Sequence, residues 1–274
     1  MLPDMATLAS LLWGTVRLRP YVFIFLLAFM AAASRDLGPR RMLGFLVWAW
    51  GVAFAAEYAS TRVGIPFGLY HYTGRTAGAE LYLSNVPLFD SLSFAFLAYA
   101  AFCLSRVALG AARGVAVVAL SGILMMLLDV VMDPLAVRGD RWFLGHVFYY
   151  PAGGIYFGVP LSNFAGWGVV GWLIVGGYAV ATRAGAPASE DHGQSPGPGV
   201  AIYYGVLLFS LVVTFWIGEG MLLAAGIMIH IVGFLLLYRL GAMLAPEPLR
   251  LGAPAGPVAG REGRDFDSGR SCRL

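Results

Sequence analysis

Five acidic residues lie inside or at the ends of segments that otherwise have the composition of membrane-spanning helices: Glu57, Asp90, Asp129, Asp133 and Glu219. A carboxylate in the hydrocarbon core of a bilayer costs at least about 2.5 kcal/mol unless it is paired, protonated or facing a cavity. A chain that keeps several of them is therefore predicted to enclose a polar site within a membrane protein.

Composition places the chain in the membrane class. Hydrophobic residues make up 59% of the 274 residues and charged residues 12%, against about 25% charged residues in an ordinary soluble domain. We predict an all-α polytopic membrane protein of about seven transmembrane helices with a motif-rich non-cytoplasmic loop that can re-enter the membrane. The net charge of +3 is small, so no nucleic-acid partner is expected. All 18 basic residues are arginine, which excludes a photoreceptor with a retinal Schiff base.

Seven apolar segments are predicted to span the membrane: roughly Pro20–Ala33, Met42–Thr61, Val86–Val107, Val115–Leu135, Pro160–Thr182, Val200–Gly218 and Met221–Leu240. The first is short unless Leu8–Val16 extends it; otherwise residues 1–19 form an interfacial segment. The last two are joined only by the turn at Glu219, so six spans with a re-entrant element is an open alternative. Residues 20–243 are expected to be the catalytic domain. Residues 183–199 are expected to form a flexible linker, and residues 244–274 a disordered tail.

Arginine placement predicts the orientation. One side of a seven-span chain holds Arg35, Arg40, Arg41, Arg106, Arg113, Arg183, Arg239 and the tail arginines, whereas the other holds Arg17, Arg19, Arg62, Arg75, Arg138 and Arg141. The protein is expected in the inner (plasma) membrane of the cell. The side with more arginines, which includes the C-terminus, is expected to face the cytoplasm. The polar loops and the ends of the acid-bearing segments then share the opposite face. Since each helical residue rises about 1.5 Å, the acids can share one depth and one cavity.

Asp129 and Asp133 are four residues apart, so both face the same side of one helix. Two buried carboxyl groups at this spacing favour sharing a proton, which leaves one able to act as a general acid. The structural alternative is that Asp133, followed by Pro134, ends the helix while Asp129 pairs with Arg138 or Arg141.

Glu57 and Asp90 are the other catalytic candidates. The structural alternative for Glu57 is a salt bridge to Arg62, five residues further along the chain. For Asp90 it is a role as an acid at a helix N-terminus, where the helix dipole favours negative charge.

The polar segments beside these acids supply candidate substrate-binding residues: Tyr70, Tyr72, Asn85, His146, Tyr149, Tyr150, Tyr156, Asn163, Trp167 and Glu219. Aromatic faces attract positive charge and suit a cationic intermediate, although a belt of Tyr and Trp at the membrane interface is an alternative. The two amides can orient a water or cap helices, and Glu219 can be an exposed turn residue. The four histidines are scattered and no phosphate loop or zinc motif is present, so no metal and no cofactor are expected.

Four stretches carry a resemblance to a known family: EYASTRVGIPFGLYHYTG, NVPLFDSLSFAFLAYA, LLDVVMDPLAVRGDRWFLG and YYPAGGIYFGVPLSNFAGW. They resemble the membrane carotenoid hydratases, of the bisanhydrobacterioruberin hydratase and gamma-carotene 1'-hydratase type. The resemblance covers about Met42 to Leu240 and leaves the first 40 residues and the tail outside. It implies a membrane hydratase (a hydro-lyase) that adds water to the terminal C1'=C2' double bond of an acyclic carotenoid. The implied partners are lycopene, gamma-carotene or a C50 acyclic carotenoid in the bilayer, and other carotenoid enzymes.

Hydration of a trisubstituted alkene fits these residues without a cofactor. An acid protonates the less substituted carbon, a tertiary cation forms, and water oriented by a second carboxylate captures the cation. Two other functions stay open. Another isoprenoid-modifying membrane enzyme, such as a cyclase, has the same acid and aromatic requirements. A proton-coupled transporter uses intramembrane acids as a relay.

Overall fold

The computed structural model describes residues 5–111, 113–184 and 195–244, and most of these are helical. Within them lie eight helices: α1 Met5–Leu18, α2 Pro20–Asp36, α3 Pro39–Val63, α4 Leu88–Leu109, α5 Val115–Ala136, α6 Leu161–Ala184, α7 Gly197–Trp216 and α8 Gly220–Leu244. Six of them, α3 to α8, are long and apolar enough to span a membrane. The all-α polytopic membrane fold is thus confirmed. Most of the expected linker and nearly all of the expected tail lie outside the described residues.

The chain turns sharply between α1 and α2. The two helices are bent by 93° and make a seventh span only if the pair is counted as one. Pro20 opens α2 while Arg19 leaves the helical conformation, with φ −130° and ψ 51°. Proline cannot donate the backbone hydrogen bond that would continue α1. The expected interfacial segment therefore coincides with a separate helix, which we propose lies along the membrane surface.

Helix α4 is the centre of the bundle. It packs against α2, α3, α5, α6, α7 and α8, and 72% of its spanning window is buried, compared with 11% for α8. Its residues from Phe94 to Arg106 are buried without a break, so α4 has no lipid-facing stripe over this length. A helix enclosed in this way gives the surrounding helices a fixed common support.

Contacts at the helix ends fix the directions of the helices. The last residue of α2, Asp36, accepts a 2.7 Å hydrogen bond from Arg106 near the end of α4, so these two helices run parallel. Asp133 near the end of α5 meets Asn163 near the start of α6, so those two run antiparallel. Helices α5 and α6 approach each other closely at Gly122 and Gly171. A Cβ on Gly171 would lie only 2.9 Å from the Cα of Gly122, so this approach requires glycine.

Two polar loops cover one end of the bundle and are tied together by a short antiparallel strand pair. Strand β1, His71–Tyr72, pairs with β4, Phe148–Tyr149. Thr73 extends the contact, because its backbone N–H donates to the carbonyl of Val147 at 2.8 Å. A second pair, β2 Tyr82–Leu83 with β3 Val86–Pro87, leads directly into α4. The loops that follow α3 and α5 therefore form one cover over the helix ends.

The orientation of this covered end in the membrane is testable with reporter fusions. We expect a reporter that is active only in the periplasm to be silent when it is fused after Leu240, because the arginine-rich side stays in the cytoplasm. The same reporter inserted at the exposed Gly78, in the covering loops, should be active. Activity after Leu240 combined with silence at Gly78 would reverse the orientation and move the covered end to the cytoplasmic face.

Candidate active site

A cavity of about 130 Å³ lies beneath the covering loops. Three helices each supply one carboxyl group to its wall: Glu57 from α3, Asp90 from α4 and Asp133 from α5. Helix α6 adds Asn163. The rest of the wall is largely aromatic and includes Tyr21, Phe67, Tyr70, Tyr72, Phe94, Phe148, Tyr150 and Trp167. The fold thus brings three of the four predicted catalytic acids to one cavity.

Asp129 and Asp133 are joined by one amide. The side-chain nitrogen of Asn163 donates to Oδ2 of Asp129 at 2.6 Å and to Oδ2 of Asp133 at 2.7 Å. The Tyr150 hydroxyl also donates to Asp133, at 3.2 Å. Asp133 faces the cavity, whereas Asp129 is fully buried behind it, and its Oδ1 has no hydrogen-bond partner among the described residues. The acid pair thus has an outer member that can reach a ligand and an inner member that cannot.

The structural alternative for this pair does not occur. Helix α5 continues through Pro134 to Ala136, so Asp133 does not end it. Arg138 and Arg141 both form ion pairs with Glu219 instead of Asp129. Within the described part of the chain, no ion pair with arginine compensates either aspartate.

Glu57 is held by two hydroxyl groups. Tyr72 donates to its Oε1 at 3.2 Å, and Ser91 donates to its Oε2. The alternative salt bridge to Arg62 is absent from the described ion pairs. The Arg62 guanidinium instead lies 3.3 Å from the centre of the Tyr58 ring and donates to Asn85 at 2.9 Å.

Asp90 belongs to a buried ion network that the sequence did not reveal. Arg19, at the break between α1 and α2, forms two hydrogen bonds with Glu80, at 2.8 and 3.0 Å, and a third with Asp90. The Arg19 side chain is 5% exposed and that of Glu80 is fully buried. In the sequence, Arg19 carries only a topology signal, and Glu80 is not among the predicted site residues. The two residues are 61 positions apart, and no local spacing connects them.

The loop tyrosines around the cavity are neutral hydrogen-bond donors. Burial raises the pKa of Tyr70 and Tyr72 well above the usual range, and the nearby Glu57 raises it further. Burial likewise raises the pKa of Tyr150, with Asp133 as the next cause. Their hydroxyl groups therefore stay protonated at physiological pH and can donate to a carboxylate.

Five predicted substrate-binding residues lie outside the cavity: Asn85, His146, Tyr149, Tyr156 and Glu219. Asn85 bonds the end of α3, donating to Thr61 at 3.1 Å. Tyr149 is 43% exposed. The ring of Tyr156 packs edge-on against Phe164, and the backbone carbonyl of His146 accepts a hydrogen bond from Thr73. Glu219 joins the turn before α8 to the loop after α5. Tyr70, Tyr72, Tyr150, Asn163 and Trp167 do line the cavity.

A helical membrane protein with an acid-rich, aromatic cavity under one end of its bundle is the class that these observations define. The family model described as carotenoid biosynthesis protein matches residues 18–237. The chain therefore belongs to the carotenoid biosynthesis protein family and has a role in carotenoid modification. The match begins before Arg19 and so extends further towards the N-terminus than the resemblance from Met42 onward. Comparison with curated proteins and with solved structures gave no significant match.

The Arg19 network is expected to stabilise the fold as well as the cavity. Arg19→Gln leaves Glu80 and Asp90 as buried carboxylates without a cation, a loss that typically destabilises by about 3–5 kcal/mol. Arg17→Gln, at an exposed position in α1, is the matched control and should change little. Unfolding of the purified variants in detergent measures the difference. The double variant Arg19→Gln/Glu80→Gln should recover part of the lost stability. If Arg19→Gln were as stable as the control Arg17→Gln, that result would contradict the role of the network.

Proposed function

We propose that the protein is a cofactor-independent carotenoid hydratase that adds water to the terminal C1'=C2' double bond of an acyclic end group. The observation that carries the proposal is that only one of the three carboxyl groups in the aromatic cavity is paired with an arginine in the described residues. Asp90 is paired with Arg19. Among the described residues, Asp133 and Glu57 are held by amide and hydroxyl groups instead. An acid and a carboxylate can therefore coexist in one small space.

In this proposal, Asp133 is the proton donor. It faces the cavity, and it shares Asn163 with Asp129, so the two carboxyl groups can hold one proton between them without an arginine. Its O–H bond breaks as the proton moves to the less substituted alkene carbon, C2'. The alkene π electrons form the new C–H bond, and C1' becomes a tertiary cation. Asp129 is a positioning residue, because it lies behind Asp133 and does not reach the cavity.

The aromatic wall suits the cation. The rings of Phe94 and Trp167 stack at 4.2 Å between centroids, and both line the cavity. Tyr70 lies edge-on to Tyr72 at 5.4 Å and close to Tyr150 at 5.8 Å. Ring faces attract positive charge, and an aromatic ring is a weaker nucleophile than a carboxylate. The wall therefore stabilises the cation while leaving it open to water.

Water then completes the reaction. Its oxygen forms the bond to C1', and its proton passes to the carboxylate of Asp90, which is paired with the Arg19 guanidinium. Glu57 shares the cavity wall with Asp90 and can orient the water. The sum is one alkene plus one water giving one tertiary alcohol. Return of the proton from Asp90 to Asp133 restores the starting state.

Mass analysis of pigments tests this reaction. The chain is expressed in a bacterium that accumulates lycopene or gamma-carotene, and the pigments are extracted. We expect a product heavier than the substrate by one water. An isomer of unchanged mass but altered absorption would identify a cyclase, and unchanged pigment in a strain with correctly inserted protein would contradict both enzyme assignments and favour a transporter.

Isolated membranes supply the cofactor control for that experiment. Hydration should continue after EDTA washing and without nucleotides or oxygen. Within residues 5–111, 113–184 and 195–244, no three His, Cys, Asp or Glu side chains are arranged to hold a metal ion. Loss of activity with EDTA and its return with a divalent cation would make the cavity acids metal ligands instead of proton carriers.

The acid pair is tested by separate substitutions. Asp133→Asn should lower hydration by about 10²–10⁴-fold, the usual contribution of a general acid. Asp129→Asn should lower it less, because Asp129 acts only through Asp133 and Asn163. Asp140→Asn removes an exposed acid at the same end of the molecule and should leave hydration unchanged. Yields are normalised to membrane-inserted protein. Near-native yield from Asp133→Asn would remove it as the donor and make Glu57 the candidate.

A further inference from the structure

A second cavity, of about 120 Å³, lies beside the acidic one. The two share part of their walls, including Arg19, Tyr21, Asp90 and Asp133. Helices α2, α4 and α7 supply most of the rest of the second cavity, with the apolar side chains of Val22, Phe25, Phe96, Leu97, Val206 and Phe209. A ligand held by the acids is therefore next to a compartment of opposite character.

We propose that this second cavity binds the isoprenoid segment that adjoins the reacting end group, so that the carotenoid is held by two compartments of the protein before its polyene enters the lipid. The inference rests on the proposed function, because the acidic cavity must first hold the terminal double bond. It assigns a hydrocarbon subsite to the apolar lining residues of the second cavity, which are outside the predicted catalytic and substrate-binding set.

The size of the cavity fits one branched five-carbon unit. A dry apolar cavity of about 150 Å³ binds benzene, so 120 Å³ accommodates one isoprene unit but not a whole carotenoid. Phe96 is six residues beyond Asp90 on α4, which corresponds to about 9 Å along the helix axis. The second cavity thus extends from the acids towards the middle of the bundle, in the direction that a chain leaving the end group would take.

Away from the wall that it shares with the acidic cavity, the lining of the second cavity favours hydrocarbon over water. Ser210 is the hydroxyl residue that α7 contributes, and it donates to the carbonyl of Val206 in its own helix at 3.0 Å. Its hydrogen-bonding capacity is therefore used within the helix. Because burying unpaired polar groups is unfavourable and burying apolar surface is favourable, an isoprene unit stabilises this compartment more than water does.

The outer wall indicates where the remaining chain leaves. The half-buried rings of Phe25 on α2 and Phe209 on α7 meet at 6.2 Å, and Tyr21 stacks on Phe209 at 5.0 Å. Outside them, Ile24 and Leu208 are exposed apolar residues at 65% and 62%. These would face lipid in a membrane. The polyene therefore leaves between α2 and α7, past rings that can stack on its conjugated system.

Retention of pigment tests the subsite without relying on the reaction. Val206→Phe fills the second cavity, whereas Val212→Phe makes the same change at a position of α7 that is 55% exposed. Each variant is purified from a lycopene-producing strain, and the carotenoid that stays bound per protein is measured. The affinity for lycopene is then measured by adding lycopene at increasing concentrations. We expect Val206→Phe to bind lycopene at least tenfold more weakly than the wild type, and Val212→Phe to match it.

A milder variant and a small alkene separate the possible outcomes. Val206→Leu adds one methylene and should give an intermediate loss, which decides the matter if Val206→Phe does not fold. Val206→Leu should lower hydration of lycopene more than hydration of 2-methyl-2-butene, because the small alkene carries only the end group and does not occupy the second cavity. Wild-type lycopene retention in both Val206 variants would overturn the subsite. Retention that depends on Val206 without any hydration by the wild type would instead overturn the proposed function and leave the subsite intact.

Discussion

The burial of charge inside an apolar bundle is the constraint on which the rest of this structure depends. At the end away from the cavity, Asp36 lies 2.7 Å from Arg106 and also accepts a hydrogen bond from Tyr99, and the two charged groups are buried. At the covered end, one buried arginine, Arg19, serves both Glu80 and Asp90. The acids beside it are held by amide and hydroxyl groups. A buried carboxylate paired with arginine is compensated as a charge, whereas a buried carboxyl group without an arginine is stabilised by holding a proton.

The break in the chain before α2 is part of the same solution. Pro20 ends α1 and leaves Arg19 at the junction, where its guanidinium reaches a loop acid and the first turn of α4. Arg19 and Asp90 also line both cavities. The break between α1 and α2 thus places the Arg19 guanidinium at the boundary between the polar and apolar compartments. A straight helix through residues 5–36 would place Arg19 in the middle of a span instead.

Sequence reasoning succeeded where the signal was local. Helix α5 was expected at Val115–Leu135 and runs Val115–Ala136, and hydropathy suffices for such segments. It failed for partners far apart in sequence, such as Arg19 with Glu80. The covering loops fall between these cases. Tyr70, Tyr72, Phe148 and Tyr150 line the cavity, whereas His71 and Tyr149 do not. Successive residues of an extended chain point to opposite sides. The patterns YHY and FYY therefore separate the residues that line the cavity from those that do not. That separation could be read from the sequence only if the two segments were known to be extended.

The arrangement of the two compartments bears on why water, and not the substrate itself, would capture the cation. Cyclisation requires an internal double bond of the same chain to fold back onto C1'. On the proposed binding mode, the adjoining isoprene unit lies in the apolar cavity near Leu97 and Val206, directed away from the acids. The internal double bond is then held out of reach of C1', while Asp90 and Glu57 keep the space around the cation polar. In this scheme the choice between alcohol and ring is set by where the second isoprene unit is held, and the same acids could serve either reaction.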